Sequence, residues 1–359
     1  MESSIPMDRG SVPAEAKWTF TTRRVDRSDV ATMDQDFAAM QPGDLLLAQV
    51  EKIGNHKRFQ LTTGRPSEIY VGDFGVVACA ARYAPDQFEG LAEIDPECCD
   101  LLAGGGVAGR MVQANLLLGS PTRLRPIGRL LQSDGSAVNV GNYAIASSGV
   151  TPTIPVLLVT GASMNAGKTT MTTSLAFGLR QAGYQVAGIK VTGTGAFGDF
   201  NSMSDAGLHY VADFTDAGLA STYMQPIERI EQAFLDLVGD AQRKGAEVAV
   251  VELADGVYQA ETAQLLANSD VFRSAATAYF YACGDAVSAV GGVAHLRGLG
   301  IEPAAVSGMI SLSPMAAKEA TGVCGIDIVT REQLMDGAFA GSMLANVIDR
   351  AVEPMLSAA

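Results

Sequence analysis

Histidine, tryptophan and cysteine are scarce in this chain: three, one and five residues among 359. Cys79, Cys98, Cys99, Cys283 and Cys324 form no CxxC pair and show no metal-ligand spacing, which argues against a zinc or iron–sulfur centre and for reduced, mostly buried thiols. Positive charge is also in deficit. Lys and Arg number 25 against 39 Asp and Glu, a formal net charge of −14, so the clustered cations needed to neutralise nucleic-acid phosphates are missing and no nucleic-acid partner is expected. Any anionic ligand must be held by a local device. No uninterrupted apolar run of about 18 residues occurs, and Glu2, Asp8 and Arg9 stand where a signal peptide needs an apolar stretch. These absences point to a soluble, cytoplasmic protein with no membrane partner.

What is present is an apolar fraction of 48% and 39 glycines, a balance that fits a turn-rich globular α/β protein. The length is comfortable for two cores. Residues 1–35 are polar and aperiodic, as a flexible arm would be. From 36 to 150 short apolar or alternating runs (Leu45–Val50, Phe59–Thr62, Glu68–Tyr70, Gly75–Ala80, Cys99–Ala103 and the stretch Val138–Ile145) suggest a smaller β-rich domain. Gly104-Gly105-Gly106 reads as a tight turn in preference to a second anion loop. A Ser/Gly/Pro cluster from Ser147 to Pro152 marks a boundary. From 151 to 359 strands alternate with helices: strands at Val156–Thr160, Gln185–Ile189, Glu247–Glu252, Thr277–Cys283, Ala304–Ile310 and Ile326–Val329, helices at Lys168–Ala182, Ile227–Arg243 and Val287–Leu299. That alternation implies a mainly parallel sheet covered on both faces, with ligands at the carboxyl ends of its strands.

The segment Gly161-Ala162-Ser163-Met164-Asn165-Ala166-Gly167-Lys168-Thr169-Thr170 follows the first of those strands and opens a helix. Backbone N–H groups of Gly161, Asn165, Ala166, Gly167 and the first helical turn, Thr170 included, are placed to converge on phosphate oxygens. Lys168 reaches the β- and γ-phosphates, and the Thr169 hydroxyl serves a magnesium ion. Five residues separate Gly161 from Gly167, one more than in the common form of this P-loop. Two more strands end in charge. Lys190, closing Ala187-Gly188-Ile189-Lys190, is a second cation able to stabilise a transferring phosphoryl group, and Glu252, closing Val248-Ala249-Val250-Val251-Glu252, is a carboxylate aimed by a buried strand at magnesium.

The long loop resembles that of the dethiobiotin synthetase family and the related cobyrinic acid diamide and cobyric acid synthases; uncharacterised two-domain proteins with a C-terminal P-loop domain share it. The resemblance covers roughly residues 155–330 by motif order. It implies that Lys168 and Lys190 are catalytic and that the loop of Thr192 and Thr194 holds the acceptor. It assigns magnesium to Thr169, Glu252 and the aspartate of Ser204-Asp205-Ala206. The family's metal-binding aspartate after the first glycine is replaced here by Ser163, with Asp255 or Asp199 as substitutes, and its adenine-reading asparagine has no counterpart after Ile310.

An enzyme using ATP and Mg2+ follows as the leading expectation. It would transfer the γ-phosphoryl group to a small-molecule substrate, a carboxylate or carbamate, with ligation afterwards. A small-molecule kinase is one alternative; a nucleotide-hydrolysing switch or chaperone acting on a partner protein is another. Self-association into a homo-oligomer stays open.

Overall fold

The computed structural model describes residues 11–147 and 152–357. Residues 1–10 of the expected arm and 148–151 of the expected linker lie outside the described residues. The chain divides into two compact units. The first comprises residues up to Ile145 with Thr194–Phe197 and Phe214–Met224; the second comprises Ala146–Gly193, Gly198–Asp213 and everything from Gln225. A single cut near residue 150 therefore misses two short excursions of the later sequence into the first unit.

In the first unit the strands are β1 (Lys17–Trp18), β2 (Thr32–Asp34), β3 (Leu45–Lys52), β4 (Arg58–Gln60), β5 (Pro66–Glu68), β6 (Phe74–Cys79), β7 (Phe88–Leu91), β8 (Cys99–Ala103), β9 (Val107–Ala114) and β10 (Thr122–Leu131). Pairings run β6–β3–β10–β8–β9 and return from β9 to β6, closing a ring of five strands. Closure removes the free edges that an open sheet exposes. Successive residues of β3 serve two cores: Leu45 and Leu47 pack with Val76 and Leu102, whereas Leu46 and Ala48 pack with Phe59 and Leu101. The three glycines 104–106 form the turn from β8 into β9. Val138–Ile145, expected as strand, contributes an isolated bridge and a 3-10 turn at Val140–Tyr143.

Residues 11–35 are not a loose arm. Lys17 and Trp18 add a parallel strand to β6, residues Thr32–Asp34 pair with β10, and Trp18 and Phe20 are buried. A short polar segment can be ordered by two buried aromatics and an edge pairing, and periodicity does not register either.

The second unit is a six-stranded parallel sheet of β11 (Val156–Gly161), β12 (Val186–Lys190), β13 (Tyr210–Asp213), β14 (Val248–Glu252), β15 (Ala278–Ala282) and β16 (Pro303–Ser307), in the order β13-β12-β14-β11-β15-β16. Its helices are α1 (Lys168–Gln181), α2 (Phe197–Asp205), α3 (Ile227–Arg243), α4 (Ala260–Asn268), α5 (Asp270–Ala275), α6 (Ala286–Gly298), α7 (Pro314–Cys324), α8 (Arg331–Met335) and α9 (Gly337–Ser357). From β11 the chain moves one way across the sheet to β12 and β13, then back through β14 to β15 and β16. Right-handed crossovers put helices for opposite moves on opposite faces. Accordingly Met171, Leu175 and Leu179 of α1 pack with Leu157, Val159 and Val250, whereas Val293 and Leu296 of α6 pack with Tyr281 and Val306. Ile326–Val329, expected as strand, makes only a bridge to Val306. Among the described residues no helix is long and apolar enough to cross a membrane.

The ordering of residues 11–35 is open to a direct check, because Trp18 is the chain's one tryptophan. Its fluorescence should be blue-shifted in the native protein and move to the red in denaturant. Native emission already at the solvent-exposed position would contradict the packing described.

Candidate functional site

Gly161 closes β11, and the loop that follows bends back through two left-handed residues, Asn165 (φ 63°) and Gly167 (φ 97°). Gly167 is the N-cap of α1 and no side chain caps it. The first N–H groups of a helix have no intrahelical acceptor, so this turn presents donors and the positive end of a dipole to an anion. Glycine is required at both ends of the loop. A Cβ at Gly161 would come within 2.7 Å of the Lys168 side chain, and one at Gly167 within 2.8 Å of the Gly308 backbone. Gly308 follows β16, and next to it the Met309 N–H donates to the Ala166 carbonyl at 3.2 Å. This seat for the loop carries no motif, and the sequence alone does not reveal it.

Lys168 is folded back over the loop, with Nζ donating to the Ser163 carbonyl oxygen at 2.7 Å. It is only 6% exposed. Burial lowers its pKa, and the Glu252 and Asp255 carboxylates only partly offset this. Thr169, one residue on, points its hydroxyl at two carboxylates, Asp199 Oδ1 at 3.0 Å and Glu252 Oε1 at 3.2 Å. Thr170 is exposed in the same first turn.

Lys190 and Glu252 are register partners at the ends of β12 and β14. The Lys190 ammonium forms an ion pair with Asp199 Oδ2 and lies 3.8 Å from Glu252 Oε1. Burial works against a charged Lys190, but Asp199 and Glu252 outweigh it and hold the ammonium protonated. For Glu252, 1% exposed, burial dominates and raises the carboxyl above its usual range, the nearby Asp199 adding to the effect while Lys190 opposes it. Asp199 goes the other way: burial is overcome by Lys190 and by the Thr169 hydrogen bond.

Asp199, in the first turn of α2, and not Asp205, is the aspartate of this helix that meets Thr169 and Lys190. Asp205 is exposed at the last residue of that helix. Six residues of helix place it about 9 Å further along and turned to another face. The proposed acceptor residues are also separated. Thr192 is buried and its hydroxyl accepts from the Ala254 N–H at 2.7 Å, stapling the end of β12 to the segment that carries Asp255. Thr194 falls in the other unit, bridged to Ser221.

The donor set suits a hard divalent cation. Thr169, Asp199 and Glu252 offer a hydroxyl and two carboxylates, and Glu252 Oε2 is a buried oxygen with no hydrogen-bond partner. Among the described residues no group of three His, Cys, Asp or Glu forms a metal cage. Magnesium needs none, since it keeps waters and takes substrate phosphates as ligands alongside one or two carboxylates. A cavity of about 470 Å³ lined by Ala276, Ala278, Ile301 and Pro303 lies at the amino ends of β15 and β16, the opposite edge of the sheet from this cluster.

A parallel α/β sheet with a glycine-bounded loop and a cation–carboxylate cluster at its carboxyl edge defines the class of P-loop folds. No protein-family model matches the chain, and neither does any curated protein. Solved structures similar to it include the signal recognition particle 54 kDa protein from Aeropyrum pernix K1 in complex with GDP, at 18% identity and a TM-score of 0.36, covering 56% of this chain and 51% of that one. The signal recognition particle receptor FtsY from Elizabethkingia anophelis in complex with GDP is another, at 16% identity and a TM-score of 0.37, covering 54% of this chain and 65% of that one. At these scores the likenesses add nothing to what the topology shows, and neither favours the dethiobiotin synthetase family.

The raised pKa of Glu252 fixes the sign of a stability effect. As pH climbs past the ordinary 4.5, the unfolded chain releases this proton before the folded one, so the folded state loses stability above that point. With a chelator present, Glu252→Gln should melt higher than the parent at pH 7, and the gap should narrow as pH falls towards 4.5 and below. A lower-melting variant at pH 7 would contradict this account of the charge balance.

Proposed function

We propose that the protein binds a magnesium nucleoside triphosphate at the P-loop and cleaves the bond between the γ-phosphorus and the β–γ bridging oxygen. Water attacks the γ-phosphorus, and nucleoside diphosphate and inorganic phosphate leave. The observation that carries this reading is the convergence of Thr169, Asp199, Glu252 and Lys190 beside a helix N-terminus that offers unpaired N–H groups. The α1 N-terminus would grip the phosphates and Lys168 would exchange the Ser163 carbonyl for a phosphate oxygen. Thr169, Asp199 and Glu252 would hold magnesium, which when bound neutralises charge on the β- and γ-oxygens. The loop reads phosphates and not a base, so ATP and GTP are both candidate nucleotides.

A second reading, transfer of the γ-phosphoryl group to a small carboxylate or carbamate, is favoured by one feature. Lys190 is a second cation near the P-loop lysine and is well placed to balance charge on an incoming anion. Hydrolysis ends in free phosphate in the absence of any metabolite, whereas transfer ends in a phosphorylated product that forms only with the acceptor.

Phosphate release from ATP and from GTP, measured with magnesium, tests the proposal. Lys168→Ala should lower the rate by about a hundredfold or more, in line with removing a transition-state cation. Asp199→Ala should lower it at least about tenfold, while Asp205→Ala should leave it close to the parent. Full activity in Lys168→Ala would overturn the assignment of the loop; equal losses in Asp199→Ala and Asp205→Ala would overturn the choice of Asp199.

A further inference from the structure

The oxygens suited to a divalent cation are the ones that already surround the Lys190 ammonium. Asp199 pairs with Nζ through Oδ2 and accepts from Thr169 through Oδ1, and Glu252 Oε1 is 3.8 Å from Nζ and 3.2 Å from the Thr169 hydroxyl. Two carboxylates brought this close and withdrawn from water repel each other and lose hydration, and a cation among them offsets that cost. The chain supplies one covalently. The backbone of Lys190 is fixed, because it ends an interior strand in register with Glu252, so only the side chain is free to change partners.

We propose that Lys190 is the resident cation of the metal site. Its ammonium and a divalent ion compete for Asp199 and Glu252, and a divalent ion that enters displaces Lys190 towards the phosphates. The inference rests on the reading of Thr169, Asp199 and Glu252 as metal ligands. Its consequence is an order of binding. A free divalent ion must evict a positive charge that has nowhere else to go, so it binds weakly alone. An ion arriving with a triphosphate brings the anion that Lys190 then pairs with, so the complex binds as a unit. The same exchange delivers Lys190 to the γ-phosphoryl group only when metal and nucleotide are both in place, which guards the cluster against assembling around either one alone.

Mn2+ titrated into nucleotide-free protein and followed by electron paramagnetic resonance of the free ion tests the competition without any turnover. Lys190→Met keeps the length of the stem and removes the charge, and should bind Mn2+ about tenfold or more tightly than the parent, since a neighbouring unit charge at this separation is worth at least that factor. Adding Asp199→Asn should abolish the gain. Equal or weaker Mn2+ binding by Lys190→Met overturns the competition. The metal-ligand reading fails separately if Mn2+ binding is indifferent to Asp199→Asn. Should Lys190→Met unfold in chelator, recovery of a cooperative thermal transition on adding Mn2+ supports the proposal, and no recovery at millimolar Mn2+ overturns it.

Discussion

The ion-paired ends of β12 and β14 are the constraint on which the site depends. Lys190 and Glu252 stand side by side because β14 is inserted between β11 and β12, with Val159 opposite Glu252 on the other flank. With β12 directly beside β11, the lysine would adjoin the P-loop strand and Glu252 would lie elsewhere. As built, the carboxylate sits between loop and lysine, and the first turn of α1 brings the Thr169 hydroxyl to meet it. Opposite charges buried together are costly unless they satisfy one another. Asp199 completes the balance from α2, and Thr192 secures the strand ends from below by bonding the backbone at Ala254.

Parts of this were legible in the sequence for identifiable reasons. An apolar strand, a glycine-bounded turn and a helix with Met171, Leu175 and Leu179 at helical spacing are all local patterns, and they mark β11, the loop and α1 within a residue or two. The ends of β12 and β14 are equally local, since each is an apolar run closed by a charge. The adjacency of those two charges is not local. It follows from strand order, which no single segment encodes.

The differences between expectation and structure have the same origin. Ser204-Asp205-Ala206 has the residue types of a metal-binding segment, but helix phase turns Asp199 and not Asp205 towards Thr169 and Lys190. Thr192 and Thr194 look alike in a glycine-rich loop, yet one is consumed by backbone bonds and the other departs into the first unit. Residues 11–35 lack periodicity because two aromatics and short edge pairings order them. Gly308 falls inside the expected strand Ala304–Ile310, but β16 ends at Ser307 and the Gly308 backbone packs against Gly167.

In the proposed function this cluster and the α1 N-terminus form a site for the phosphates of a magnesium nucleotide. Calorimetric titration with a hydrolysis-resistant triphosphate analogue, with and without magnesium and beside the parent nucleoside, is the decisive measurement. Binding of the triphosphate should be saturable and enhanced by magnesium, and the phosphate-free nucleoside should not bind. Equal binding of the two, or no binding of the triphosphate at millimolar concentration, would contradict the proposed function.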